Sequence, residues 1–212
     1  MIITISRQYA AGGSEIARLV ARQLRWSVVD NQLIDEVAAR AGLTRDEVAE
    51  REERAPGFVE RLARTLATSV PEFVVPDGSP LPDPTEQHLV RITERVVEDL
   101  AAAGRVVMVG RAAAEVLAKR PEALHVRVVA PRAVRIERAI ERLGVDPKQA
   151  EKVLDDTDQN RARYHRQHYN RDWLDPVNYH LTLNTHALGF DGTADVIVAR
   201  ARAMWGTKKS RE

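Results

Sequence analysis

Short β-branched segments alternate with amphipathic helical segments along this chain of 212 residues. Residues 2–6 read IITIS and residues 105–109 read RVVMV, and both runs have the length and continuous apolar character of strands buried on two faces. Strands that are separated by helices must be joined by crossover connections, which place the strands parallel in one sheet. The sequence therefore predicts an α/β fold with a doubly wound, mostly parallel five-stranded sheet flanked by helices.

The remaining segments complete this alternation, with turn residues such as Gly42 and Gly104 between them. Further strands are predicted over residues 26–29, 125–129 and 180–184, and helices over residues 14–24, 31–42, 85–103, 132–143, 148–169 and 192–205. Ligands of such sheets bind beyond the C-terminal ends of the strands. We therefore expect the 6–14 loop, Asp30, Gly110, Arg111 and the 129–131 turn to surround one cleft.

Composition excludes several classes of site. The formal net charge is only +1, from 32 basic and 31 acidic residues, which argues against a nucleic-acid-binding module or a charged membrane-binding surface. Cysteine is absent, so disulfides and cysteine-based zinc sites are excluded. No apolar run approaches the ~18–20 residues of a membrane span, and the first residues do not have the pattern of a signal peptide. These features favour a cytoplasmic protein, and they give no indication of its oligomeric state.

A glycine-containing loop, SRQYAAGGSE at residues 6–15, joins the first predicted strand to the first predicted helix. The N–H groups and the dipole at a helix start favour an anion there, although an ordinary β–α turn is the alternative. The pattern G-x-x-x-x-G-K-[ST] is not met, because Gly13 stands where its lysine would fall. Arg7 could cover the phosphates instead, and Ser14 could offer its hydroxyl to Mg²⁺. The candidate phosphate-binding residues are Arg7, Gln8, Tyr9, Ala10, Ala11, Gly12, Gly13, Ser14 and Glu15.

The segments ITISRQYAAGGSEIARLVARQLRW and VVDNQLIDEVAARAGL resemble the opening of the cytidylate kinase-like family of nucleoside monophosphate kinases. The chain departs from the family's loop at Ala10, where the family often has glycine, and at Ser14, where it often has arginine. The resemblance implies a P-loop kinase fold with a helical lid. It also implies that ATP, Mg²⁺ and a nucleoside monophosphate are the ligands.

Two later segments carry the same resemblance. Gly110-Arg111 resembles the start of the family's Gly-Arg-Asp motif, with Ala112 in place of the acid. The segment DDTDQNRA at residues 155–162 resembles D-D-R-D-R-N-R-A, whose acid and final arginine contact the cytosine ring and the acceptor phosphate region. The acceptor-binding residues that follow from the resemblance and from the predicted cleft are Asp30, Arg111, Asp158 and Arg161.

The segment APRAVRIERA at residues 130–139 resembles the entry to the family's lid, which would cover residues 132–172. Arginines spaced three apart share one face of a helix there, although such a run can also be a solvated surface. Residues 70–84 contain five prolines and are expected to form a mobile loop on the acceptor side, within a single domain over residues 1–206. Residues 207–212 are expected to form a disordered charged tail. The candidate catalytic residues are Arg7 and two arginines of this segment, Arg135 and Arg138.

Two functions remain open at this point. The first is a kinase that transfers the γ-phosphoryl of ATP to a nucleoside monophosphate, with CMP or dCMP favoured as the acceptor. The second is a catalytically weak or inactive nucleotide-binding regulator, a pseudokinase, because the lysine of the phosphate-binding loop is absent. The sequence identifies neither the acceptor nor the pathway.

Overall fold

A computed structural model describes residues 1–30, Gly42 and residues 86–206 of the chain. Three predicted features fall outside these residues. They are the helix over residues 31–42 (apart from Gly42), the proline-rich segment 70–84 and the tail 207–212.

One parallel sheet organises the described residues. Its strands are β1 (Ile2–Arg7), β2 (Ser27–Val29), β3 (Val106–Val109), β4 (Ala123–Val129) and β5 (Leu181–Asn184). They lie in the order β2-β3-β1-β4-β5, and every adjacent pair is parallel. The predicted five-stranded, doubly wound sheet is confirmed, since each connection between neighbouring strands crosses over rather than turning back.

The helices flank this sheet on both faces. They are α1 (Gly13–Leu24), α2 (Glu86–Ala103), α3 (Ala113–Val116), α4 (Arg132–Leu143), α5 (Pro147–Tyr169) and α6 (Thr185–Trp205). A single 3₁₀ turn covers Pro176–Asn178. The prediction missed α3, because four residues are too few to show a helical period.

The last helix begins earlier than predicted, at Thr185 rather than at residue 192. The side chain of Asn184 accepts hydrogen bonds from the backbone N–H groups of His186 and Ala187, so it caps the helix immediately after β5. The helix is then interrupted at Gly189, whose φ of 68° and ψ of 173° are not helical. This interruption hid the first part of the helix from the periodicity of the sequence.

The core lies on both faces of the three central strands. Ile3 and Val107 pack on the side of α1 and α6, whereas Ile2 and Val106 pack on the side of α2. Adjacent residues of a strand point to opposite faces, so strands covered on both sides need apolar residues at every position. This requirement is met by the continuous apolar runs of β1 and β3.

The order of the strands brings the ends of β1, β3 and β4 together. Ile5 is paired with Val109, and Arg7 is paired with Val128. The loops that follow these three strands therefore leave the sheet side by side, at the edge where parallel α/β sheets bind their ligands.

A buried histidine in β4 should make the stability of the protein depend on pH. Nδ1 of His125 lies 2.8 Å from Oγ1 of Thr4, and burial, together with the nearby His180, lowers the pKa of His125 to about 4. The unfolded chain, with a histidine pKa of ~6.5, takes up this proton first as the pH falls. Stability is therefore lost from about pH 6.5 down to about pH 4, by about 2 kcal/mol between pH 7.5 and pH 5.

Urea denaturation of the wild type and of His125→Asn at these two pH values measures the effect. Carboxylates titrate in both proteins, so the expected result is a loss about 2 kcal/mol larger in the wild type than in the variant. Equal losses would show that His125 does not carry this pH dependence.

Candidate functional site

The loop between β1 and α1 is held by side chains that donate to its carbonyl oxygens. A peptide N–H points away from the carbonyl of the preceding residue, so the N–H groups of Ala10 and Gly12 point away from Arg135 and Thr185, which bond to the carbonyl oxygens of Tyr9 and Ala11. Each of these hydrogen bonds is accepted by a backbone carbonyl oxygen. Arg161 donates to that of Arg7 (3.0 Å), Arg135 to that of Tyr9 (3.4 Å), Arg138 to that of Ala10 (3.3 Å) and Thr185 to that of Ala11 (2.8 Å).

The start of α1 is open to an anion. Gly12, the N-cap residue, has a φ of 85°, and no side chain caps the helix. A Cβ at Gly12 would lie 2.6 Å from Cζ of Phe190, so the position requires glycine for space as well as for its φ. Ser14 is half-buried and Glu15 is exposed, both in the first turn of the helix. The uncapped N–H groups and the helix dipole together favour a phosphate here.

The side chain and backbone of Gln8 fix the loop to the end of β4. Gln8 donates its N–H to the carbonyl of Val128 and accepts the N–H of Ala130 at its side-chain oxygen, 3.2 Å away. Ala10 has a left-handed φ of 56°, a conformation that glycine adopts without strain. Both hydrogen bonds of Gln8 tie the start of the loop to the residues at the end of β4.

The side chain of Arg7 runs from this loop towards β3. A Cβ at Gly13 would lie 2.8 Å from Cβ and Cγ of Arg7, and a Cβ at Gly110 would lie 2.6 Å from its Cζ. The two glycines thus provide the space in which the arginine lies. Because Gly13 stands at the position of the missing lysine, a lysine there would need the space that the stem of Arg7 occupies.

The turn after β3 is strained. Gly110, Arg111 and Ala112 all have left-handed conformations, with φ values of 73°, 55° and 49°. Each non-glycine residue of this kind costs on the order of 1 kcal/mol, and such strain is concentrated at functional sites. The turn places Arg111 in the same cleft as Arg7 and Arg161.

This cleft, which has a cavity volume of about 50 Å³ and is open to solvent, lies between the ends of β1 and β3 and helix α5. Arg7, Arg111 and Arg161 line it, together with the first residues of α3. Although the net charge of the chain is only +1, the cleft is therefore locally positive. Clustered guanidinium groups are suited to bidentate binding of a phosphate or carboxylate group.

The predicted acceptor residues do not all meet in this cleft. Asp158 accepts the N–H of Tyr9 at 2.8 Å and pairs with Arg135 at 2.6 Å, so its carboxylate lies on the loop. Arg161, one turn further along α5, lies 3.7 Å from Asp158 and lines the cleft. Asp30 follows the edge strand β2, which β3 separates from β1, and it is not part of the cleft wall.

The predicted catalytic arginines of α4 also contact the loop. Arg135 is buried and bonds to the carbonyl oxygens of Ala130 and Tyr9, and Arg138 also donates to Thr185. A third arginine of α4, Arg132, differs from these two, because it is half exposed and pairs with Asp155 on the surface. The surface interpretation of this run holds for Arg132 alone.

The sequence did not reveal the acidic wall of the cleft. Glu115 enters the cleft from α3, with a side chain that is only 2% exposed, and its Oε1 lies 3.0 Å from Nδ1 of His165. Trp173 is also buried there and donates from Nε1 to Oγ of Ser6 at 2.8 Å. The only sequence signal for this wall was an acidic residue shortly after Gly110. Because no helix was predicted there, the sequence did not indicate where its side chain would lie.

Comparison with known families identifies this arrangement. The model of the cytidylate kinase-like family matches residues 2–187, which include the loop, the strained turn and the whole cleft. The chain belongs to the cytidylate kinase-like family. The resemblance based on the loop and on the 155–162 segment is thereby confirmed. No curated protein matches the chain in a sequence comparison.

Solved structures show that this member of the cytidylate kinase-like family has a P-loop kinase fold. An uncharacterized protein from Eubacterium ventriosum is similar at a TM-score of 0.69 and 20% identity, over 96% of this chain and 99% of that one. The shikimate kinase of Bacteroides thetaiotaomicron is similar at a TM-score of 0.53 and 12% identity, over 97% and 98% of the two chains. The shikimate kinase of Acinetobacter baumannii, solved with shikimate, is similar at 0.51 and 14%, over 99% and 95%. At these identities the likeness concerns the fold, and family and fold together make the chain a kinase-like protein.

Two further features are absent from the described residues, a cluster of metal-binding side chains and a membrane-spanning helix. Among the described residues, no group of three or more histidine or acidic side chains could hold a metal ion by itself. Within the same part of the chain, no helix is both long and apolar enough to cross a membrane.

Proposed function

We propose that this protein transfers the γ-phosphoryl group of ATP to a nucleoside monophosphate, with CMP or dCMP as the favoured acceptor. The observation that carries the proposal is the position of Arg7. Its stem passes over Gly13 in the phosphate-binding loop, and its guanidinium lies over Gly110 at the cleft. A permanent cation therefore lies between a donor site and an acceptor site, where phosphoryl transfer develops negative charge.

The donor site is the loop that precedes α1. The N–H groups of Ala10 and Gly12 and the uncapped start of α1 would bind the phosphates of ATP. Mg²⁺ bound together with ATP takes most of its ligands from phosphate oxygens and water, so the hydroxyl of Ser14 is a sufficient protein ligand. An ion held by Ser14 and ATP would supply positive charge that offsets the charge of the phosphates.

Arg7 takes the role that the lysine has in the standard loop. An arginine stays charged at every physiological pH and can contact two phosphate oxygens at once. Since Gly13 has no side chain, the arginine reaches its position without displacing the loop. Because Arg7 would supply the positive charge in place of the lysine, the glycine at position 13 does not by itself argue against catalysis.

The acceptor site is the cleft, in which Arg111 and Arg161 would bind the phosphate of the acceptor. Arg135 and Arg138 are positioning residues in this scheme, because they hold the carbonyl oxygens of the loop away from the phosphates. We propose that residues 132–172 act as the lid of a single domain over residues 1–206. Closing the lid would exclude water from the transferred group.

A second function has one observation in its favour. The carboxylate of Asp158 accepts the N–H of Tyr9, so one donor of the loop is already used by the chain itself. If the carboxylate remained there, the protein would bind nucleotides weakly and transfer no phosphoryl group. It would then act as a nucleotide-binding regulator.

Release of ADP from ATP and Mg²⁺ with CMP, dCMP, UMP, AMP or GMP, measured in a coupled assay, tests the proposal. We expect turnover with CMP and dCMP, and we expect Arg161→Ala to raise the KM for the acceptor about 10–100-fold through loss of a charged hydrogen bond. Arg120→Ala, which removes an exposed arginine paired with Glu122, is the matched control and should behave as the wild type. Calorimetric nucleotide binding without turnover would instead support the regulator.

A further inference from the structure

The wall of the cleft contains a buried carboxylate oxygen that has no hydrogen-bond partner among the described residues. This atom is Oε2 of Glu115. The other oxygen, Oε1, lies 3.0 Å from Nδ1 of His165, outside hydrogen-bond geometry. With only 2% of the Glu115 side chain exposed, water compensates little for the missing hydrogen bond.

An unsatisfied buried carboxylate is costly to keep. Leaving a buried charged acceptor unpaired costs more than leaving a neutral one unpaired, and such groups in folded proteins usually have a functional explanation. The cleft that Glu115 lines is otherwise positive, because Arg7, Arg111 and Arg161 line it too. A carboxylate among three arginines selects a ligand that has an anionic group and also a hydrogen-bond donor.

We infer that Glu115 is the specificity-determining residue of the acceptor site, and that it accepts a hydrogen bond from the amino group of the acceptor's base. The inference rests on the proposed function. The arginines bind the phosphate of the monophosphate, and Oε2 of Glu115 accepts the amino N–H. His165 is a positioning residue, since its contact with Oε1 leaves Oε2 to the ligand.

The position of Asp158 supports this assignment. Its two carboxylate oxygens are used by the N–H of Tyr9 and by Arg135, so the acid in the matching segment is engaged on the loop. Glu115 follows the strained turn by one helical turn, and it supplies an acid to the cleft although position 112 is alanine. A carboxylate discriminates cytosine from uracil because cytosine presents an amino group where uracil presents a carbonyl oxygen.

Calorimetric titration with CMP and with UMP, in the absence of ATP, tests the inference on the full chain. The two ligands differ at the base position that Glu115 is inferred to contact. We expect the wild type to bind CMP at least tenfold more tightly than UMP. Glu115→Gln should bring the ratio of the two dissociation constants close to one, mainly through an about 10–100-fold loss of CMP affinity, because a neutral amide oxygen replaces the charged acceptor and the amide N–H group can also donate to uracil.

The matched control is Glu122→Gln, which makes the same chemical change at an exposed residue that pairs with Arg120, and it should keep the wild-type ratio. Glu115→Asp keeps the charge with a shorter reach, so CMP should remain preferred at lower affinity even if Glu115→Gln does not fold. His165→Asn should lower the ratio by less than Glu115→Gln does.

The outcomes separate this inference from the proposed kinase activity. Lost discrimination in Glu115→Gln without any ADP release in the wild type would support the inference and reject the kinase. A CMP-dependent release of ADP by the wild type, with unchanged discrimination between CMP and UMP in Glu115→Gln, would support the kinase and overturn the inference. A wild type that binds both monophosphates equally, or binds neither, overturns the inference.

Discussion

Replacing Arg7 with alanine should lower kcat for phosphoryl transfer about 1,000-fold, the size expected when a cation that stabilises the transferred group is removed. The dissociation constant of ATP should change by less than tenfold, because the N–H groups of the loop remain in place. Single-turnover transfer of the phosphoryl group from ATP to CMP, with saturating nucleotides, measures this step directly. Activity close to that of the wild type would show that Arg7 does not carry the charge stabilisation.

Gly110→Ala tests the same assignment without changing the arginine. The new Cβ would lie 2.6 Å from Cζ of Arg7, so the guanidinium must leave its place over the glycine, and we expect kcat to fall about 10–100-fold. The strain of a left-handed alanine is a separate effect. Gly104→Ala is the matched control, since Gly104 has a φ of 67° and no atom within 4 Å of the added Cβ. It should lose stability by about 1 kcal/mol while kcat is unchanged.

Replacing Arg135 with methionine should lower the free energy of unfolding by about 3 kcal/mol. Arg135 and Asp158 form a 2.6 Å ion pair in which the side chains are only 7% and 17% exposed, and removing the cation leaves a carboxylate largely buried. Arg161, at 3.7 Å, and the N–H of Tyr9 compensate in part. Denaturation in urea at pH 7 measures the loss.

Two further variants isolate the cause of this loss. Arg135→Met combined with Asp158→Leu should recover much of the stability, because no uncompensated charge remains in the double variant. Arg132→Met removes a neighbouring arginine of the same helix whose 2.8 Å pair with Asp155 is about half exposed, and it should leave the stability nearly unchanged. Equal losses in Arg132→Met and Arg135→Met would contradict the buried-pair explanation.

The strands and most helices could be predicted because their signal is local. The continuous apolar run of β1 indicates a strand covered on both faces, and the apolar period of α1 indicates one buried face. Two elements gave no such signal. Helix α3 has only four residues, and the start of α6 depends on the cap at Asn184 and the interruption at Gly189.

The sequence by itself determined the sheet, the family and the position of the loop between β1 and α1, since each of these is encoded in residues that are contiguous in the chain. Only the tertiary structure decided which side chains share the cleft. Asp158 and Arg161 lie one helical turn apart, yet one contacts the loop and the other lines the cleft. The course of Arg7 depends on Gly13 and Gly110, which lie along the same side chain only because β1 and β3 are neighbours in the sheet. Contacts between distant segments depend on the order of the strands, and no local pattern encodes that order.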